Sequence, residues 1–130
     1  MEKNFKGTGV AVVTPFHKQK NVDFTSLGQV LEHVIKNNVD YIVCLGTTAE
    51  TVTLTDQEQM AILDYTIDQV DKRVPIVVGV GGNNTTQIVD KLSQADFSGV
   101  SGILSVAPYY NKPTQKGIYE HFKAIAEASP

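Results

Sequence analysis

The sequence is short of several things, and each shortage narrows the reading. It has one cysteine, Cys44, in 130 residues. A single cysteine makes no internal disulfide, and no CxxC pair or Cys/His cluster supplies zinc-site spacing. Placed inside an apolar run, Cys44 reads as a small buried core residue rather than a catalytic thiol. No apolar run approaches the ~18 to 20 residues of a membrane helix. The opening MEKNFKGTG lacks the apolar h-region of a secretory signal. Basic charge is not in excess: 11 Lys and Arg against 14 Asp and Glu leave a net charge of −3. The cations are scattered, which argues against a nucleic-acid footprint, since that needs a basic patch or stripe. His17, His33 and His121 share no ligand spacing, so they read as structural or exposed. The expectation is a cytoplasmic protein in a reducing compartment, with no metal, no membrane and no nucleic acid as partner.

What is present is a repeat. The chain is 42% hydrophobic and 19% charged, enough apolar material for a packed core. Four short β-branched runs recur, at Gly9-Val-Ala-Val-Val-Thr14, Tyr41-Ile-Val-Cys-Leu-Gly46, Pro75-Ile-Val-Val-Gly-Val80 and Gly102-Ile-Leu-Ser-Val-Ala-Pro108. They are apolar on both faces, as strands of a parallel sheet are. They start roughly 30 residues apart, the size of one βαβ unit. Helical patterns fill the gaps. Residues 25–36 carry a stripe of Leu27, Val30, Leu31, Val34 and Ile35. Residues 55–72 open on Thr55-Asp-Gln-Glu58, a capping box, and place Met60, Leu63, Ile67 and Val70 inward. Lys72 and Arg73 suit the negative C-terminal end. Residues 85–97 place Ile88, Val89, Leu92 and Ala95 inward, with Gly99 near the stop. A fourth helix starts near Thr114 and turns Ile118, Phe122 and Ile125 inward.

Strand then helix, four times, predicts an α/β fold with a parallel sheet. Two architectures fit: an open doubly wound sheet, favoured by length, and half of a (β/α)8 barrel, favoured by the loops. All four strand ends carry small or hydrogen-bonding residues: Thr14-Pro15, Gly46-Thr47-Thr48-Ala49-Glu50, Gly79-Val-Gly81-Gly82-Asn83-Asn84 and Pro108-Tyr109-Tyr110-Asn111-Lys112-Pro113. Barrel enzymes assemble their active sites on that face.

Gly79-x-Gly81 has two glycines of a dinucleotide fingerprint, but Asn84 stands where the third belongs and the run follows the third strand. A tight turn and close backbone approach explain these glycines better. Gly46-Thr47-Thr48 can offer successive amides and hydroxyls to a small carboxylate; the alternative is a turn that only caps the next element. Glu50 reads as an orienting or capping carboxylate rather than a base. Tyr109-Tyr110, adjacent aromatics in a loop, fit a subunit contact, and tyrosine hydroxyls also relay protons.

Taken together, GTTAE, GVGGN and PYYNKP, with VAVVTPF in front and HFKAIAEA behind, resemble the dihydrodipicolinate synthase family from about residue 7 onward. The resemblance implies the first four βα units of a (β/α)8 TIM barrel, residues 1–130 forming the N-terminal half of one domain and ending before the fifth strand. It implies a class I aldolase, usually a homotetramer built as a dimer of dimers. The family condenses pyruvate with L-aspartate 4-semialdehyde through a Schiff base, without a separate cofactor. Thr47 matches the proton-relay hydroxyl. Thr48, with the Thr47 amide, matches the pyruvate carboxylate site, and Ala11 the pocket lining. Tyr110 matches the triad tyrosine that reaches into a neighbouring subunit. The family's allosteric lysine site maps onto Thr51, Val52, Asp56, Gln59, Gly81, Asn83, Gln87 and Tyr109. Related sugar-acid lyases, such as N-acetylneuraminate lyase, are the alternative within the superfamily.

The chain departs from the family pattern in places. Ala49 stands where the motif has glycine, so a positive φ there would strain it and a shifted turn is expected. Asp56 and Gln59 replace histidines common in feedback-sensitive relatives. Gln87 replaces an acid, which removes a partner for a lysine ammonium. None of the lysines at 3, 6, 18, 20, 36, 72, 91, 112, 116 and 123 falls in a predicted strand, where the imine-forming lysine belongs. The expectation is that these 130 residues do not catalyse alone, and survive at most as a non-catalytic half-barrel. Four strands also leave two open sheet edges, which predicts pairing with another copy or aggregation.

Overall fold

A computed structural model describes residues 5–130; Lys3 lies outside the described residues. Four strands, β1 (Gly9–Ala11), β2 (Tyr41–Cys44), β3 (Ile76–Gly79) and β4 (Gly102–Leu104), alternate with four helices, α1 (Phe24–Lys36), α2 (Asp56–Val70), α3 (Thr85–Gln94) and α4 (Gln115–Ala128). The strands form one sheet in chain order, β1-β2-β3-β4. Gly9 pairs with Tyr41 and Val43 with Val77, both in parallel register. This order separates the two architectures. A doubly wound sheet reverses its strand order at a switch point. Here the order never reverses, as in the progression of a (β/α)8 barrel.

The strands are shorter than the apolar runs that predict them, because the chain leaves the ladder early. Leu45 turns to φ 54° directly after β2, so that strand stops before Gly46. Single backbone bonds continue past two of the short strands, from the Val12 amide to the Val43 carbonyl (3.0 Å) and from Val80 to Leu104 (2.9 Å).

The chain divides into two compact units, Met1–Gly79 with Gly99–Gly102, and Val80–Ser98 with Ile103–Pro130. The first unit buries Leu27 and Leu31 of α1, Ile42 and Cys44 of β2, Ile62 and Val70 of α2, and Val78 of β3, each at most 2% exposed. Burying one such Leu or Ile side chain contributes about 1.5–3 kcal/mol. Asp23 caps α1 by accepting from the Ser26 amide (2.9 Å). Between α1 and α2, Gly28 lets the Tyr65 ring through: a Cβ there would lie 2.5 Å from the Tyr65 hydroxyl. Phe24 meets the same ring edge to face, with centroids 5.2 Å apart.

The capping box on α2 forms as expected. The Thr55 hydroxyl accepts from the Glu58 amide (3.2 Å), and the Glu58 carboxylate takes the Thr55 amide (2.8 Å). The helix ends at Val70 rather than residue 72, because Asp71 and Lys72 both turn to positive φ. Arg73 closes that end by donating to the carbonyls of Val70 (3.1 Å) and Gln69 (2.7 Å). Met60 is not inward; it is 43% exposed. Thr66 takes the centre of the buried face, and its hydroxyl returns to the Ile62 carbonyl at 2.7 Å. A polar side chain satisfied within its own helix can occupy a core position.

The second unit packs α3 against α4. Asn84 caps α3, whose Ile88 and Leu92 are buried, and the helix ends at Gln94, short of the expected 97. Thr114 caps α4. Phe122, expected inward, is 39% exposed, while its neighbour His121 is buried with Ile125. Among the described residues no helix is long and apolar enough to cross a membrane.

Candidate functional site

The C-terminal strand ends of the first unit build one compact loop. After Leu45 and Gly46, Thr47–Ala49 form a single 3-10 turn, and Thr51–Thr53 form a second. Both turns are stitched to the strand end by side chains. The Thr51 hydroxyl lies 2.8 Å from the Leu45 carbonyl and 2.8 Å from the Gly46 carbonyl. The Gln59 amide donates to the carbonyls of Thr51 and Leu54, at 3.1 Å each. The buried Thr14 hydroxyl, two residues past the last β1 bond, donates to the Ala49 carbonyl at 2.8 Å. From the other side, Gly79 brings the end of β3 against the same loop. A Cβ on Gly79 would lie 2.1 Å from the Leu45 oxygen. This is the close backbone approach expected of the glycines after the third strand.

Ala49 is 2% exposed and has no positive φ. The left-handed positions are Leu45 (φ 54°) and Glu50 (φ 55°) on either side of the turn. Alanine at 49 is therefore unstrained. Glu50 differs from expectation in one respect. Its backbone carbonyl, not its carboxylate, closes the second turn, accepting from the Thr53 amide and hydroxyl at 2.8 Å each. Thr47 and Thr48 face solvent at the start of the first turn. The first amides of a helical turn have no acceptor further back in their own turn. Two successive amides and two hydroxyls thus stand at the end of β2, held from behind by Thr14, Thr51 and Gln59. Ala11, in β1, is exposed. Cys44 lies beneath, and burial pushes its thiol up to about 12, so it is not a nucleophile.

The second unit holds the other predicted residues. The Asn83 side chain accepts from the Tyr109 amide at 2.8 Å, which joins the loop after Val80 to the loop after β4. A Cβ on Gly81 would lie 2.9 Å from Val106 Cγ1, so these two loops touch. Tyr109 is half exposed and Tyr110 is 93% exposed. Tyr110 (φ 70°) and Lys112 (φ 50°) hold left-handed backbone angles, rare for bulky side chains. Gln87 is exposed in the first turn of α3, and Val52 is 84% exposed in the first unit. Asp56 is exposed at the start of α2. Of the residues expected to bind lysine, Thr51, Gln59 and Asn83 use their side chains on backbone groups of the loops. No described lysine lies in a strand; Lys91 is half-buried on α3 and the rest are exposed.

A family model described as the dihydrodipicolinate synthetase family matches residues 4–130. The chain belongs to that family. A 4-hydroxy-tetrahydrodipicolinate synthase of Parabacteroides distasonis is 52% identical over 126 residues, 97% of this chain and 42% of that protein. The Bacillus subtilis synthase is 43% identical over 123 residues, again 42% of its length. The chain therefore spans about 42% of the curated relatives it matches. A Bacillus anthracis dihydrodipicolinate synthase superposes with a TM-score of 0.92 at 44% identity, covering 98% of this chain and 44% of that one. The chloride-inhibited Acinetobacter baumannii synthase, complexed with pyruvate, gives 0.91 at 42% identity, over 96% of this chain and 43% of that one. The family assignment also fixes the architecture: these are four βα units of a dihydrodipicolinate synthase (β/α)8 barrel.

Two supporting residues are not singled out by the sequence: Thr14, behind the threonine loop of the first unit, reads only as one of the hydrogen-bonding strand-end residues, and His121, beside the Tyr109–Tyr110 loop of the second, only as structural or exposed. A polar residue inside an apolar stripe was the available signal for both.

Proposed function

We propose that the protein containing this chain is a Schiff-base aldolase that condenses pyruvate with L-aspartate 4-semialdehyde to 4-hydroxy-tetrahydrodipicolinate, in lysine and diaminopimelate synthesis. Family membership supports the reaction class. The single structural observation that carries the reading is the Thr47-Thr48 turn, whose amides and hydroxyls have no partner among the described residues while the groups behind them are tied down. A three-carbon keto acid offers a carboxylate of the right size for Thr48 and the Thr47 amide, and Ala11 leaves room beside it. Thr47 passes a proton, and Tyr110 reaches from this chain into the site of a neighbouring subunit of a cytoplasmic homotetramer. The covalent step needs an amine: its nitrogen attacks the pyruvate carbonyl, water leaves, and the protonated imine draws the electrons of a methyl C–H bond toward nitrogen as that proton passes to the relay that includes Thr47, which gives the enamine nucleophile. No separate cofactor takes part. None of the nine described lysines lies in a strand, and in this reading the amine belongs to a part of the protein outside these 130 residues, which are inactive alone.

Pyruvate followed by borohydride, read by intact mass, tests this. Borohydride reduces the imine to a stable amine. The 14.2 kDa chain should show no adduct. A protein about as long as its relatives should carry one and should prefer aspartate semialdehyde over sugar-acid substrates. An adduct on the 14.2 kDa chain, or none on the longer protein, refutes the reading.

A further inference from the structure

His121 is 3% exposed on α4, and its ring bridges two other segments of the second unit. Nε2 lies 3.0 Å from the Val106 carbonyl, and Nδ1 lies 2.8 Å from the Thr85 hydroxyl. A carbonyl only accepts, so Nε2 carries a proton. In the neutral ring Nδ1 is then bare and accepts the Thr85 hydroxyl proton. Phe122 closes one side of the ring, edge to face at 5.3 Å.

The partners of this ring are informative. Val106 is three residues before Tyr109 and leads into the loop that carries Tyr110. Thr85 follows Asn84, the α3 cap, and Asn83, whose side chain holds the Tyr109 amide. The same two loops are thus fastened at two points, by His121 below and by Asn83 above. The Tyr110 side chain is 93% exposed and its backbone angle is left-handed. Among the described residues of this chain nothing packs on that side chain, so within the chain the segment before it sets where it points.

We propose that His121 is a positioning residue for the Tyr109–Tyr110 loop. Its Nε2–H holds the Val106 carbonyl, and that bond sets the path of the backbone that projects Tyr110. The consequence for proton transfer by Tyr110 rests on the function proposed above. The placement of the loop does not.

The test compares side chains that keep one half of the bridge. Glutamine places its amide nitrogen near imidazole Nε2, and asparagine places its own near Nδ1. His121→Gln retains the Val106 bond, and His121→Asn loses it. Hydrogen exchange at the Tyr109 amide and chymotryptic cleavage at Tyr109 and Tyr110 report on the loop, and thermal unfolding reports on the whole protein. His121→Asn should speed Tyr109 exchange and cleavage by roughly fivefold to tenfold, the loss of one hydrogen bond, beyond any change in global unfolding. His121→Gln should stay near the parent. If His121→Asn raises exchange only in step with global unfolding, the residue fills a core and positions nothing. Nitrogen-resolved NMR of the unmodified protein needs no variant: an Nδ1–H tautomer of His121 also overturns the proposal. Neither readout involves pyruvate, so a failed imine assay and a failed positioning assay are separate results.

Discussion

Gly79→Ala places a methyl carbon where the backbone of Leu45 already lies. The added Cβ would meet the Leu45 oxygen at 2.1 Å, the Leu45 carbonyl carbon at 2.6 Å and the Gly46 nitrogen at 2.8 Å. Carbon–oxygen contacts settle near 3.3–3.6 Å, so the carbonyl must retreat by about 1 Å or more. It is not free to do so, since Leu45 is 5% exposed and its oxygen holds the Thr51 hydroxyl. Overpacking typically costs about 1–3 kcal/mol, and a backbone obstacle belongs at the upper end of that range. The Thr51 hydroxyl keeps the Gly46 carbonyl as an acceptor at 2.8 Å, so its bond adds little to this cost. The expected destabilisation is about 2–3 kcal/mol, a large part of the ~5–15 kcal/mol that holds a typical domain folded. Gly82→Ala is the control: its nearest atoms would be Ile88 Cδ1 and Cγ1, both at 3.9 Å, an ordinary contact. That variant should change stability by less than about 1 kcal/mol in either direction. Urea unfolding of both variants, with unchanged slopes, gives the comparison. If Gly79→Ala costs no more than Gly82→Ala, the close approach of β3 to the threonine loop is not a constraint, and the account of that loop fails.

Other consequences follow from the same contacts. Thr14→Val leaves the buried Ala49 carbonyl without its donor and should cost about 1–3 kcal/mol, whereas Thr14→Ser should retain most of the stability; a larger loss in Thr14→Ser than in Thr14→Val in urea unfolding would show that the methyl matters and the hydroxyl does not. Thr55→Ala removes the capping box and should cost about 0.5–2 kcal/mol. The bonds from the Thr55 amide and hydroxyl hold the Glu58 carboxyl below its ordinary value, so their contribution is complete above that value and is lost as pH falls through the lowered one. Stability measured across that acid range should therefore fall less steeply in Thr55→Ala than in the parent. Cys44 should resist a thiol reagent at pH 8 while folded and react at once in denaturant, because burial keeps it protonated; fast reaction of the native protein would contradict its place in the core.

The fold was largely legible because its signals were local. β-branched runs bounded by glycine and threonine gave the four strands, and Thr55 with Glu58 gave a helix start to the residue. Strand ends were overestimated because nothing in a residue's own preference announces that Leu45 will turn left-handed. Met60 and Phe122 were read as inward because apolar spacing outweighed the polar residues beside them. Thr66 and His121 took those places, each with its polar atoms satisfied, and satisfaction depends on partners that a periodicity cannot show. The motifs single out Thr47 and Thr48 in the first unit and Tyr110 in the second as expected site residues. The residues that hold them, Thr14, Gln59 and His121, act through backbone atoms up to 35 positions away, and such pairings leave no local trace.

The unreversed strand order bears on how the chain comes into being. Gly9 pairs with Tyr41, and Ile42 pairs with Ile76. Each pairing closes a loop of roughly thirty residues, so the entropy of closure is nearly the same at each step and never large. None of these strands waits for one made much later. During synthesis β2 emerges to find β1 already made, and β3 then finds β2. One open edge is always the newest strand, which the next strand of the series covers, while the outer edge of β1 stays open throughout. A sheet wound in this order can grow at the pace of translation, with only the closure of its first edge left to the end.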